Sequence, residues 1–164
     1  MAPSDVGVVA ECHTRAWQMA FRGILTDGLL DALTIAEVEE SWRALVSKPG
    51  RLNLVAEGPD GVVGFVALEA IPVVAGAAGE VIGIYVHPDH WRAGAGRLLL
   101  TAALSHMAAA GFAGAFLWTM ADNQLSRAFY EGLGLSFCGE MRESERLGET
   151  FSEVKYICEL PLEA

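Results

Sequence analysis

Basic residues are scarce in this 164-residue chain. Lys and Arg total 11 against 21 Asp and Glu, a formal net charge of −10. A protein that holds nucleic acid without regard to sequence needs a basic face, so no nucleic-acid partner is expected. One local anion site remains open, because a helix N-terminus and one or two arginines act at short range. Cysteine is scarce too. Cys12, Cys138 and Cys158 are far apart and odd in number, without metal-ligand or redox spacing. That usage fits a reducing cytosol, with each thiol a small buried hydrophobe. Met1 to Asp5 lacks the basic-then-apolar pattern of a secretory leader. No apolar run is long and clean enough to cross a bilayer: the most apolar span, Val62 to Val86, is broken by Glu69, Pro72 and Glu80. The expectation is a soluble cytoplasmic protein with no membrane partner and no metal.

Hydrophobic residues, by contrast, are abundant at 52%, enough to argue against disorder. The length fits one domain over residues 1–164, able to bury a core without staples. Ser4 or Asp5 can cap a helix to about Phe21, with a stripe at Val6, Val9, Ala10, Ala16, Trp17 and Ala20. A short helical turn is expected over Gly28 to Leu33. Thr34-Ile35-Ala36-Glu37 is a capping box opening a helix to about Ser47, with Lys48-Pro49-Gly50 as its stop. Leu52 to Glu57 and Val62 to Ile71 read as a hairpin around Gly58-Pro59-Asp60-Gly61. A loop of small residues, Pro72 to Gly79, follows. Val81 to His87 is a strand apolar on both faces and therefore central.

Ala95 to Ala110 reads as a helix stopped by Gly111, and Ala115 to Thr119 as a short strand. Asp122 or Asn123 caps a helix from Gln124 to Glu131, closed by Gly132 and Gly134. Phe137 to Arg146 and Phe151 to Leu160 form a last hairpin around Leu147-Gly148-Glu149. This order predicts a mixed α/β (α+β) fold with a hairpin at each end of one sheet.

The glycine loop after the central strand, Gly94-Ala95-Gly96, lacks what two familiar phosphate loops require. A Walker A loop needs Lys-Ser/Thr after its last glycine, where Arg97 and Leu98 stand. A dinucleotide fingerprint needs a third small residue where Leu99 stands. What is left is a strand-to-helix turn whose amides from Arg92 to Arg97 can converge on an anion, aided by the Arg92 and Arg97 side chains. A plain tight turn would use the same glycines.

Two motifs together narrow this. His87-Pro88-Asp89-His90-Trp91-Arg92-Ala93-Gly94-Ala95-Gly96-Arg97-Leu98-Leu99, followed by Asn123 and then Phe129-Tyr130-Glu131-Gly132-Leu133-Gly134-Leu135, resembles the GNAT superfamily of acyl-CoA-dependent N-acetyltransferases. The order of elements matches that fold, and the resemblance runs from about Ala2 to Leu160. It implies a central, mixed, mostly antiparallel sheet flanked by helices, with a truncated first strand. Two positions depart from the family pattern: Trp91 stands where Gln or Arg is usual, and Leu135 where Phe is usual.

The resemblance implies acetyl-CoA as cosubstrate and direct transfer of its acetyl group to a primary amine in a ternary complex. The acceptor would be a small-molecule or protein amine, and a homodimer is possible. Ile84, Tyr85 and Val86 would pair with the pantetheine arm, and an amide near Val86 would stabilise a developing oxyanion. Arg92, Ala93, Gly94, Ala95, Gly96 and Arg97 would take the pyrophosphate. Asn123 would contact the cofactor, and it can also cap its helix. Tyr130 is the candidate general acid, since a phenol stays protonated at neutral pH; a core tyrosine is the other reading. Glu80 matches the position of the base in some members, and strand alternation predicts Glu80, Ile82, Ile84 and Val86 on one face. An exposed strand-end carboxylate is the plainer alternative. Members that acetylate protein N-termini carry Glu where Trp118 stands. Trp17, Phe21, Arg22 and Trp118 are expected to line the acceptor pocket, although core packing also explains Trp17 and Phe21. His87 and His90 lack a third ligand and read as turn residues. The competing reading is a non-catalytic acyl-CoA-binding sensor or interaction module on the same fold.

Overall fold

The computed structural model describes residues 1–69, 74, 76–146 and 148–161. The chain runs α1 (Val6–Ala20), α2 (Asp27–Ala32), α3 (Ile35–Leu45), β1 (Arg51–Gly58), β2 (Gly61–Glu69), β3 (Ala78–Val86), α4 (Ala95–Ala109), β4 (Gly114–Met120), α5 (Gln124–Glu131), β5 (Ser136–Arg146) and β6 (Glu149–Glu159). Each predicted element is present. The predicted strand end at Ile71, most of the loop from Pro72 and the turn residue Leu147 lie outside the described residues.

Six strands form one sheet in the order β1-β2-β3-β4-β6-β5. Among the described residues only the β3–β4 strand pair is parallel. The terminal hairpins β1–β2 and β6–β5 flank that pair, as the element order required. Among the described residues no strand precedes α1. The Met1 amino group instead donates to the Asn53 carbonyl of edge strand β1 at 3.0 Å.

Local chemistry accounts for the helix starts. Thr34 and Glu37 form the reciprocal box, with the Glu37 N–H donating to Thr34 Oγ1 at 3.3 Å. Asn123, not Asp122, caps α5, its Oδ1 accepting from the Ser126 N–H at 3.1 Å. At α1 the expected side-chain cap is not formed: the Asp5 carboxylate accepts instead from the Ala2 N–H, closing a 3-10 turn over Pro3–Asp5.

Helices cover both faces. On one, α4 and α5 bury Leu99, Leu100, Leu104, Met107 and Tyr130 against Val66, Leu68, Leu117 and Val154. On the other, α1 and α3 bury Val9, Cys12 and Trp42 against Phe65 and Ala67. A third cluster joins Trp17, Phe21, Leu25 and Leu30 to Met120. Burial of this kind contributes about 25 cal/mol per Å² of apolar surface, so these clusters dominate the stability.

β3 does not keep the simple alternation expected of it. Gly83 pairs with Ala67, yet Val81 pairs with the next residue, Leu68, so Ile82 is an extra residue in β3. Past this bulge the facing reverses. Ile82 packs with the α1 face, whereas Ile84 and Val86 pack with α4. Glu80 and Ile82 therefore do not share a face with Ile84 and Val86, and the predicted single stripe is corrected to two.

Candidate functional site

Among the described residues β3 and β4 are paired over Ala78–Glu80 and Gly114–Phe116, and beyond Glu80 they splay apart. The register fixes which backbone groups face the gap. The His87 N–H donates to the Val63 carbonyl at 2.8 Å, which makes 63/87 and hence 65/85 the hydrogen-bonded pairs with β2. The N–H and C=O groups of Ile84 and Val86 then point away from β2, into the wedge. A cleft of about 660 Å³ follows this wedge through the sheet. Its wall includes Glu80, Ile84, Tyr85, Val86, Asn123 and Tyr130.

One end of the cleft carries backbone geometry that suits an anion. Arg92 has φ 60° and Gly94 has φ 92°, two left-handed residues that turn successive amides to one side. The first α4 bond joins the Leu98 N–H to the Gly94 carbonyl at 3.0 Å, so the amides of Ala95, Gly96 and Arg97 are left for a ligand. Arg92 and Arg97 line this end and pair with no carboxylate among the described residues. An arginine in the left-handed region costs on the order of 1 kcal/mol, a position where glycine is the usual choice. A Cβ on Gly96 would meet Phe129 Cζ at 3.3 Å. The missing side chain therefore lets the loop sit against α5.

Trp91 explains itself in this geometry. Its Nε1 donates to the Val86 carbonyl at 2.7 Å, one of the groups that face the wedge. The indole thus takes a carbonyl that would otherwise be open and closes the end of β3.

α5 presents the next groups. Asn123 is buried at 3% exposure, and its Oδ1 is committed to the cap. Tyr130 borders the cleft and makes no hydrogen bond among the described residues. Burial pushes its phenol well above the ordinary value, and the Tyr85 phenol adds to the shift. Between them, Arg127 donates to Tyr156 Oη at 3.1 Å and to the Ala121 carbonyl at 3.0 Å, and Tyr156 Oη donates to Glu131 at 2.5 Å. These bonds hold α5 against β4 and β6.

The opposite half lies on the α1 face. Glu80 is cross-strand from Phe116, at the point where the wedge opens. Desolvation raises its pKa, and the nearby Glu69 carboxylate raises it further; Glu69 also accepts from the Glu80 N–H at 3.0 Å. Trp17, Phe21, Trp118 and Phe151 form aromatic walls. Arg142 lies 4.2 Å over the Trp118 ring and pairs with Glu153 at 2.6 Å, while Ser144 also donates to Glu153 at 2.6 Å. The buried Trp17 Nε1 makes no hydrogen bond of ordinary geometry, although it lies near enough to the Tyr85 phenol to ease that group's ionisation.

Of the expected residues, the structure brings Glu80, Ile84, Tyr85, Val86, Arg92, Gly94, Gly96, Arg97, Asn123, Tyr130, Trp17, Phe21 and Trp118 to one cleft. Ala93 and Ala95 stand in the same loop but do not line the cleft. Arg22 is set apart: its guanidinium is held by Asp27 at 2.9 Å and Asp31 at 2.8 Å, and it faces a smaller depression beside His87. Arg142, Arg146, Phe151 and Glu153 were not legible beforehand. They come from the β5–β6 hairpin, which no motif spacing ties to Glu80. Among the described residues no cluster of three or more potential ligands could hold a metal, and no helix is long and apolar enough to cross a membrane.

The cleft follows the split in the sheet, with the Arg92–Arg97 loop at one end and Glu80 among aromatic side chains at the other. The chain belongs to the Acetyltransferase (GNAT) family, whose model matches residues 15–135. It is 30% identical over 129 residues to an uncharacterized N-acetyltransferase, YuaI, of Bacillus subtilis (strain 168), covering 77% of this chain and 72% of that one. It is 34% identical over 109 residues to a mycothiol acetyltransferase of Kocuria rhizophila, covering 62% of this chain but 35% of the relative. In fold it resembles the PaiA N-acetyltransferase of Thermoplasma acidophilum in complex with coenzyme A, with TM-score 0.71 and 21% identity, covering 95% of this chain and 96% of that one.

Proposed function

We propose that this protein transfers the acetyl group of acetyl-CoA to a primary amine by direct attack in a ternary complex. The observation that carries this reading is the split between β3 and β4, with an anion cradle at its end. A diphosphate fits that cradle: three α4 amides and two arginines without carboxylate partners face it. The exposed amide and carbonyl of Ile84 and the amide of Val86 suit an extended, amide-bearing arm laid along β3 as an added strand. Acetyl-CoA supplies an acyl group activated as a thioester.

The chain's own residues do the rest. Glu80, its pKa raised, accepts a proton from the incoming ammonium, directly or through water. An amine with a pKa near ~10.4 needs this help, since freeing it at neutral pH costs about 4–5 kcal/mol. The Val86 N–H faces the wedge and can stabilise charge growing on the carbonyl oxygen. As the nitrogen–carbon bond forms and the carbon–sulfur bond breaks, Tyr130 donates its phenolic proton to the sulfur, and the second proton shed by the acylated nitrogen returns through water to the Tyr130 phenolate. Desolvation keeps the phenolic proton in place until the thiolate needs it.

Calorimetry with acetyl-CoA, followed by thiol release across a panel of amines, tests the reading. Binding with release supports it. Binding without release from any amine would favour an acyl-CoA sensor, for which no residue in the cleft specifically argues.

A further inference from the structure

The acceptor side of the cleft holds two carboxylates and two guanidiniums, Glu80, Glu153, Arg142 and Arg146. Two of these four neutralise each other. Glu153 is taken by Arg142 and Ser144, both at 2.6 Å. That leaves one carboxylate, Glu80, and one guanidinium, Arg146, open to a ligand.

Arg146 has no carboxylate partner among the described residues. Its cross-strand neighbour is Glu149, but the Glu149 carboxylate is occupied by the N–H and hydroxyl of Thr26. The Arg146 guanidinium instead rests 5.1 Å from the centre of the Trp17 ring. Trp17 is 3% exposed and lines the cleft, and its Nε1 is one of two buried polar side-chain atoms without a hydrogen-bond partner among the described residues. That nitrogen lies beside the Tyr85 phenol, so the free donor at this wall is the Arg146 guanidinium, whose hydrogen bonds to an anion are charge-assisted.

We propose that the acceptor is a zwitterion: an amine that carries a carboxylate, with the carboxylate held by the Arg146 guanidinium beside the Trp17 ring while its amine faces Glu80. This rests on the transferase reading above. The class is amino-acid-like small molecules. A polyamine would leave Arg146 facing a cation of its own sign, and Glu153 is not free to compensate.

The test is thiol release from acetyl-CoA with α-, β- and γ-amino acids, each beside its carboxamide, with spermidine as a carboxylate-free amine. The wild-type protein should favour at least one free acid over its amide by about 10- to 100-fold in kcat/KM, the worth of a hydrogen-bonded charge pair. In Arg146→Met, which keeps the apolar stem over Trp17, that acid-to-amide ratio should fall towards one. Arg146→Lys should retain part of it. The ratio is internal to each variant, so partial misfolding does not mimic the result. Equal use of acids and amides, preference for spermidine, or a ratio unaltered in Arg146→Met would overturn the zwitterion proposal and leave the transferase reading standing. Acetyl-CoA binding with no release from any amine would remove both.

Discussion

The indole Nε1 of Trp91 donates to the Val86 carbonyl at 2.7 Å, at the point where β3 leaves the sheet. A ring on the loop thereby fixes the end of the strand whose amide faces the wedge. Trp91→Phe keeps the ring but loses the donor. We expect a loss of about 1 kcal/mol in stability and a several-fold higher KM for acetyl-CoA. Thermal melts and initial-rate kinetics check both, and an unaltered KM would show that the bond does not shape the cofactor side.

Tyr130 borders the cleft with its phenol held protonated by burial. Tyr130→Phe should lower kcat at neutral pH by about 100-fold or more, the scale of a lost general acid. Acetyl-CoA should still bind by calorimetry. Wild-type turnover in this variant would remove Tyr130 from the proton inventory.

The raised pKa of Glu80 has a definite sign in kinetics. The base works only when deprotonated, so the acid limb of kcat/KM should lie above the ordinary carboxylate range. Glu69→Gln removes the second cause of the shift and should move that limb to lower pH. Glu80→Gln should lose rate at neutral pH and recover part of it at high pH, where the amine frees itself. A limb that ignores both substitutions would exclude Glu80 as the base.

The same shift acts on stability. A carboxylate whose pKa is raised by folding stabilises the fold below its unfolded pKa, and that contribution is lost as pH rises through the folded value. At neutral pH the charged Glu80 is therefore a burden. Glu80→Gln should melt higher than wild type at pH 7, with the gap closing in acid. An equal or lower melting temperature at pH 7 would contradict the desolvation assigned here.

His13 carries the opposite sign. Its Nδ1 accepts from Trp42 Nε1 at 3.0 Å and its ring stacks on Tyr85 at 4.4 Å, an arrangement that requires a neutral imidazole. Burial, with a smaller push from Arg146, lowers its pKa from 6.5 to about 4. The stability this gives is present above 6.5 and is lost as pH falls towards about 4. Melting curves across that window should show a loss on the order of 1–3 kcal/mol. His13→Gln, which keeps an acceptor for Trp42, should flatten it.

Most of the fold was legible because its signals are local. The Thr34–Glu37 box, the Gly111 stop and the Asn123 cap each act within one turn of chain. That the Arg92–Arg97 loop and the Asn123-to-Tyr130 segment meet at one cleft was legible for a similar reason: both are short motifs. The acceptor wall was not. Glu80, Trp17, Arg142 and Arg146 meet only after the sheet forms, and no spacing encodes that meeting. Arg22 was misplaced because its neighbours Asp27 and Asp31 compete for it more closely than the cleft does. The left-handed Arg92 was hidden because arginine does not advertise that conformation as glycine does.

The extra residue in β3 has the effect of a frameshift written in space rather than in code. Before Ile82 the strand addresses its odd and even side chains to one pair of faces; after it, the assignment is exchanged. One strand can thus offer a carboxylate to one visitor and a backbone edge to another without lengthening the sheet. Deleting Ile82 would make the pairing with β2 regular, with Val81, Ile84 and Val86 still toward α4 and Tyr85 still toward α1. The strand would lose one residue of reach and the Ile82 side chain that packs on the α1 face, so Glu80 would be drawn one step closer to the Ile84–Val86 edge.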